Sequence, residues 1–120
     1  MLADIDDACA TAGVQPDLVL AAHSHDYQRY TRFVAGAHGE LEIPFIVAGG
    51  GGRGLSPHVA VADGIRKDNL RYEKSLRAYG YLKLAIDSRK IDVTFFEVPA
   101  GGGAAKFDSV SIDLSTSKIN

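Results

Sequence analysis

The stretch that decides the fold runs from Asp17 to Tyr30 and reads DLVLAAHSHDYQRY. Its apolar run, Leu18 to Ala22, is bounded by turn residues and has the length of a buried strand rather than of a helix. Two histidines end the run, and side chains two residues apart in an extended strand project from the same face. The stretch therefore predicts a buried strand that delivers His23 and His25 to one side at its carboxyl end.

Helical and strand patterns flank this stretch. On its amino-terminal side Leu2, Ile5 and Cys9 fall at helical spacing, and Gly13 is placed as a helix stop. On its carboxyl side, period-2 and continuous apolar runs predict strands at Tyr30 to Val34, Ile43 to Ala48, Tyr79 to Ile86, Ile91 to Val98 and Phe107 to Leu114. A helix, a turn and a buried strand are typical of an α/β fold, here with a mainly β remainder after one N-terminal helix.

Two segments carry a weaker pattern. Ala62 to Ala78 mixes basic and acidic residues, and we expect a loop with a short helix there. The polar end, residues 115–120, is expected to fray. No repeat or domain boundary interrupts residues 1–120, so we expect a single domain or part of one.

Composition restricts the partners and says little about the compartment. The 120 residues carry a net charge of -2, which gives no reason to expect nucleic acid or an anionic membrane as partner. No apolar run approaches the roughly 20 residues of a membrane span. The N-terminus lacks the basic-then-apolar order of a signal peptide. The single cysteine, Cys9, has a helical, apolar setting that favours a small core residue over a nucleophile.

The two histidines admit two interpretations from spacing alone. As metal ligands, two neutral imidazoles on one side would bind one ion or two neighbouring ions. As solvated or hydrogen-bonded residues at a strand end they need no ligand, because His-x-His pairs also occur by chance.

The residues around the histidines resemble the last metal-ligand motif of the calcineurin-like metallophosphoesterases, particularly the purple acid phosphatase-like branch. That motif places Gly-His-x-His-x-Tyr-x-Arg after an apolar strand, and this chain matches it at His23, His25, Tyr27 and Arg29. It departs at Ala22, where the family usually has glycine, and we expect a slightly altered backbone there. Downstream, IPFIVAGGGGRG, AYGYLKLAIDSRKIDVTFFEV and FDSVSIDL are similar to the family's glycine-rich turn, closing hairpin and last strand.

The resemblance implies the C-terminal part of an α/β/β/α sandwich that hydrolyses phosphoesters with two metal ions, divalent or trivalent, of iron, zinc or manganese. It implies that His23 binds one ion and His25 the other, and that the two ions clamp the phosphoester and activate a bridging water. We expect Tyr27 and Arg29 to support the site structurally rather than to act in catalysis.

The family's other ligand motifs do not occur in the 22 residues before His23. We expect Asp4, Asp6 and Asp7 to form a solvated helix face, and Asp26 is not at a family ligand position. The chain alone is therefore expected to bind metal weakly, to be inactive or nearly so, and to need a missing N-terminal half or self-association. The alternative is a non-catalytic, mostly β module that binds a partner or a single metal weakly.

The remaining candidates lie in loops. Gly49 to Gly54 lacks the Gly-Lys-Ser/Thr of a phosphate loop, so its glycines favour a close backbone approach over nucleotide binding. Arg53 in this loop and His58 beyond it are candidate substrate contacts, against the alternative of solvated surface residues. His38 lies in a Gly-Ala-His-Gly turn and is expected at the surface. The basic residues from Arg66 to Arg77 alternate with acids, which favours a solvated face over a nucleic-acid patch.

Overall fold

A computed structural model describes residues 2–57 and 61–120. These residues form one helix, α1 Leu2–Ala12, and two sheets built from β1 Val19–Ala21, β2 Tyr27–Gly36, β3 Gly39–Ala48, β4 Arg66–Lys67, β5 Leu70–Leu76, β6 Gly80–Ile86, β7 Lys90–Glu97, β8 Ala105–Asp113 and β9 Lys118–Ile119. The expected mainly β chain with one N-terminal helix is confirmed. No helix in the described ranges is long and apolar enough to cross a bilayer.

The first sheet is centred on the hairpin of β2 and β3. These strands pair along their whole length, from Tyr27 opposite Ala48 to Gly36 opposite Gly39. The strand order is β1-β3-β2-β5-β4, and β1 pairs parallel with β3 while the other pairs are antiparallel. The short parallel strand that precedes the histidines therefore lies at one edge of this sheet.

The second sheet is an antiparallel meander in the order β6-β7-β8-β9. Its first turn follows from Asp87, whose Oδ1 accepts the backbone N–H groups of Arg89 and Lys90 at 2.7 and 3.0 Å. A side chain that satisfies two backbone donors closes a tight turn. This turn fixes the register from Gly80 opposite Glu97 to Ile86 opposite Ile91.

The core lies between the two sheets. Tyr27 and Ile46 of the first sheet pack against Val93, Phe95 and Val110 of the second. The rings of Tyr27 and Phe95 stack with centroids 4.1 Å apart, so the aromatic packing joins the first residue of β2 to the middle of β7.

The helix α1 is attached mainly by its polar side. None of its residues is fully buried, and only Ile5 and Cys9 are half-buried. Asp6 lies on the solvated face that we expected, with its side chain 52% exposed, and it also accepts two hydrogen bonds from Arg32 at 2.8 and 3.1 Å. The hydrogen bond from Arg32 lowers the pKa of Asp6, and Asp6 in turn raises the pKa of Arg32. This ion pair ties the helix to β2.

The weakly patterned segments hold more regular structure than we expected. Residues 62–65 form a loop as expected, but β4 and β5 take the place of the possible short helix. The strand β5 gains partners that its own pattern does not reveal, because Tyr72 stacks on Tyr30 at 4.3 Å and Glu73 accepts the Thr31 hydroxyl at 2.6 Å. The end of the chain is paired rather than frayed, since β9 adds to β8 and the backbone N–H of Ile119 donates to a carboxylate of β3.

Candidate functional site

Both histidines lie in a bend between β1 and β2, which we call the histidine bend (residues 22–26). The expectation of an extended backbone through both histidines is wrong, because β1 ends at Ala21 and His23 has a left-handed backbone with φ of 81°. Strand alternation therefore does not place the two imidazoles on one face. The side chain of His23 is exposed, and that of His25 is half-buried.

The unusual backbone falls one residue after the expected position. Ala22 is not among the described residues with positive φ, whereas His23 is. A left-handed conformation costs a non-glycine residue about 1–2 kcal/mol. Strain of this kind persists where surrounding contacts impose it, and it is common at functional sites.

The glycine loop, residues 49–56, imposes that bend by close approach. A Cβ atom on Gly49 would lie 2.0 Å from the carbonyl oxygen of Ser24, and one on Gly50 would lie 2.5 Å from that of Ala78. The backbone N–H of Gly49 also donates to the carbonyl of Asp26 at 3.1 Å. The predicted close backbone approach is thus confirmed at the first two glycines of the loop.

His25 is held at three points by the far end of this loop. Its backbone N–H donates to Ser56 Oγ at 2.8 Å, and its carbonyl accepts the Ser56 N–H at 3.0 Å. Its ring Nδ1 lies 2.8 Å from the carbonyl oxygen of Gly54. A carbonyl oxygen only accepts, so Nδ1 carries the proton, and in the neutral ring Nε2 keeps its lone pair. Ser56 was not identified from the sequence, where nothing marks a partner 31 residues away.

A polar network continues from Ser56 beneath the bend. Ser56 Oγ lies 3.4 Å from Ser24 Oγ, and the side-chain amide of Gln28 donates to Asp26 Oδ2 at 2.9 Å. Asp26 is 1% exposed, and its Oδ1 has no hydrogen-bond partner among the described residues. The bend therefore contains a buried carboxylate whose hydrogen-bonding capacity is only partly used.

The Tyr-x-Arg part of the motif serves the packing of the two sheets. The Tyr27 hydroxyl donates to Asp108 Oδ2 at 2.8 Å, while Arg29 donates to both oxygens of Asp108 at 2.7 and 3.1 Å. All three residues are buried, and Asp108 belongs to β8 of the second sheet. Tyr27 and Arg29 thus anchor the strand that begins directly after the histidine bend.

Burial and charge shift the pKa values of Tyr27 and Arg29. Burial, and then the charge of Asp108, raise the pKa of the Tyr27 phenol above its usual value. Burial alone would lower the pKa of Arg29, but its hydrogen bond and charge interaction with Asp108 raise it overall. The phenol stays protonated and the guanidinium stays charged, as their roles as donors require.

The other sequence candidates are placed as follows. Arg53 is exposed in the glycine loop and has no polar partner among residues 2–57 and 61–120, whereas His58 lies outside the described residues. His38 is exposed in the turn between β2 and β3, beside a cavity of about 520 Å³ that Cys9 also lines. The length of β2 separates it from the histidine bend by about 30 Å, since a strand rises about 3.3 Å per residue. His38 is therefore too far away to share a ligand with His25.

The donor set at the bend consists of two imidazoles, and its one carboxylate, Asp26, is buried and accepts a hydrogen bond from Gln28. Nowhere in the described part of the chain do three His, Cys, Asp or Glu side chains meet in a way that would hold a metal ion. The free lone pair of His25 Nε2 does fit a metal ligand, because a ligating imidazole commonly donates its other N–H to a backbone carbonyl. Comparisons with protein-family models, curated proteins and solved structures give no significant match to this chain.

Proposed function

We propose that the chain supplies two ligands, His23 and His25, to the metal centre of a phosphoester hydrolase. One observation carries the proposal: the hydrogen bond from His25 Nδ1 to the Gly54 carbonyl, at 2.8 Å. This bond leaves Nε2 as the nitrogen with the lone pair and holds the ring in one orientation. The match of His23, His25, Tyr27 and Arg29 to the metallophosphoesterase motif supplies the reaction class.

A metal ion bound at these imidazoles would polarise a phosphoryl oxygen and lower the pKa of a bound water. The chain's own contribution is orientation. Ser56 fixes the backbone of His25, and Gly54 fixes its ring. The packing of the glycine loop against the bend holds His23 in its strained backbone conformation.

The remaining ligands come from a further N-terminal segment or from a second copy, because two imidazoles do not complete a metal's shell of four or more ligands. Exposed apolar surface supports such a partner. Leu20 of the edge strand β1 is 47% exposed, and Ile86 of the edge strand β6 is 65% exposed. A largely apolar groove of about 460 Å³ also runs between α1 and the face of the first sheet. Parallel strands such as β1 are usually covered on both faces.

Metal titration tests the ligand assignment on the chain itself. We expect zinc to bind weakly and to perturb the NMR signals of both imidazoles. His23→Ala and His25→Ala should each weaken binding, because each removes one of the two proposed ligands. The control His38→Ala removes an exposed histidine at the other end of β2 and should leave binding unchanged. Equal zinc affinity in all three variants and the wild type would reject the ligand assignment.

Hydrolysis tests the reaction class and needs the complete protein. When the chain is joined to an in-frame upstream segment, or mixed with it, we expect turnover of an aryl phosphate in the presence of zinc, manganese or iron. His25→Ala should abolish most of that turnover, and His38→Ala should preserve it. Turnover that is independent of both His23 and His25 would contradict the proposal.

A further inference from the structure

The arginines of this chain divide into neutralised and unpaired residues. Four form ion pairs or hydrogen bonds with carboxylates: Arg29 with Asp108, Arg32 with Asp6, Arg66 with Glu40 and Arg71 with Glu73. The other three, Arg53, Arg77 and Arg89, form no ion pair with a carboxylate within residues 2–57 and 61–120, although Arg89 lies close enough to Asp87 to lower its pKa. Residues 58–60 carry no acidic side chain. Arg53 lies in the glycine loop, and Arg77 donates a hydrogen bond to the backbone of that loop.

Arg77 makes one hydrogen bond to the described part of the chain. It follows the end of β5, and its Nε donates to the carbonyl oxygen of Ser56 at 2.6 Å. The same Ser56 holds the backbone of His25 through its hydroxyl and its N–H. A guanidinium has five N–H donors. The four on the Nη atoms of Arg77 have no acceptor in the described part of the chain.

The guanidinium and the imidazole border one short segment of backbone. The Gly54 carbonyl accepts from the ring of His25, and the Ser56 carbonyl accepts from Arg77. Two residues of chain span at most about 7 Å. Arg77 therefore presents an unneutralised positive charge beside the histidine bend, where Asp26 is buried and already accepts a hydrogen bond from Gln28.

We propose that Arg77 is an oxyanion-binding residue of this site and that its Nη groups bind the oxygens of a phosphoryl group. Planar guanidinium donors match the spacing of phosphate oxygens, and the bond to Ser56 holds the group before the anion arrives. The naming of that anion as part of a phosphoester substrate rests on the proposed function. The anion site itself rests on the position and the unpaired charge of Arg77.

Inorganic phosphate titrated into the chain tests the site without metal or turnover. At constant ionic strength we expect phosphate in the tens of millimolar range to shift the backbone amide NMR signals of residues 53–56. Arg77→Gln should weaken the affinity about three- to fivefold, a change of the size expected for an exposed charge pair. Arg89→Gln is the control, because Arg89 also forms no ion pair in the described part of the chain but lies beside Asp87 in the turn between β6 and β7.

Three outcomes would overturn the proposal: no phosphate binding, unchanged affinity in Arg77→Gln, or an equal loss in Arg89→Gln, which would indicate nonspecific attraction. This experiment distinguishes failure of the anion site from failure of the proposed function. Loss of phosphate binding in Arg77→Gln, together with an absence of hydrolysis by the complete protein, would support the anion site and reject the hydrolase. In an active enzyme, Arg77→Gln should raise KM for an aryl phosphate more than it lowers kcat.

Discussion

Arg29 and Asp108 lie 79 residues apart in the chain and meet between the two sheets, where the guanidinium donates to both carboxylate oxygens. Their side chains are only 10% and 5% exposed. The Tyr27 hydroxyl shares one of the carboxylate oxygens, so a single carboxylate of the second sheet holds two residues of β2.

Removal of one member of this pair should strongly destabilise the fold. Arg29→Met leaves a buried carboxylate without its counter-charge, and the loss of one partner of a buried pair costs about 3–5 kcal/mol. We expect urea denaturation to show a loss of this size in the free energy of unfolding. Lys90→Met, which breaks the exposed pair with Asp92, should cost far less, because solvent screens an exposed ion pair. Similar losses for the two variants would mean that the Arg29 pair stabilises no more than a surface contact.

Stability should fall at alkaline pH because of Tyr27. Its pKa is raised in the folded state, so the folded protein holds the phenolic proton more tightly than the unfolded chain does. The contribution is fully present below the unfolded pKa of about 10 and is lost as pH rises towards the folded-state value. The pKa of Tyr72 is raised as well. Tyr27→Phe should therefore reduce the loss of stability at alkaline pH without abolishing it.

Denaturation curves measured from neutral pH to above pH 10 check this prediction. Tyr27→Phe should also be less stable at neutral pH, because it loses the hydrogen bond to Asp108. The control Tyr81→Phe removes the hydroxyl of a tyrosine that is 47% exposed and should leave stability at neutral pH close to that of the wild type. A Tyr27→Phe profile parallel to that of the wild type across the alkaline range would contradict the prediction.

The glycine loop should tolerate a methyl group at one position and reject it at another. Gly49→Ala would place Cβ 2.0 Å from the Ser24 carbonyl, so the loop and the histidine bend must separate. Nothing lies within 4 Å of a Cβ at Gly51, and Gly51→Ala should change stability by less than about 1 kcal/mol. Melting temperatures and the amide spectrum of residues 22–26 measure both effects. Equal behaviour of the two variants would contradict the described contact.

The protonation of His25 provides a spectroscopic prediction. Nitrogen-15 NMR of the neutral ring should show the proton on Nδ1, because the Gly54 carbonyl accepts it. Ser56→Ala removes the hydroxyl that accepts the His25 backbone N–H and should weaken this preference, while Ser56→Thr should preserve it. The matched change Ser109→Ala, at an exposed position of β8, should have no effect. A dominant Nε2–H form in the wild type would overturn the orientation assigned to the ring.

The elements that the sequence predicted well are those whose pattern is local. The period-2 run of β6, its turn at Asp87 and the apolar strand β3 all follow from neighbouring residues. The strand β5 was missed because its sequence, LRYEKSL, is largely polar, and its partners Tyr30 and Thr31 lie on β2, about 42 residues away.

The site likewise combines residues that a local motif identifies with residues that only tertiary contacts bring together. His25 was chosen as a ligand from the motif, but the residues that orient it, Gly54 and Ser56, come from a loop about 30 residues later. The bend at His23 was missed because strand alternation was extended past Ala21. Gly49 approaches Ser24 closely, and this contact favours a bend over an extended strand. It is a tertiary contact, so no local sequence pattern predicts it.

The long separation between Arg29 and Asp108 also bears on how fast the molecule comes apart. Closure of a loop of this length costs chain entropy before the contact stabilises anything, so such contacts tend to form late in folding. An interaction absent from the folding transition state governs the rate of unfolding rather than the rate of folding. We therefore expect loss of the cross-sheet pair to shorten the lifetime of the folded state while the refolding rate stays close to that of the wild type. The pair that anchors β2 behind the histidine bend would then contribute to the kinetic stability of the fold.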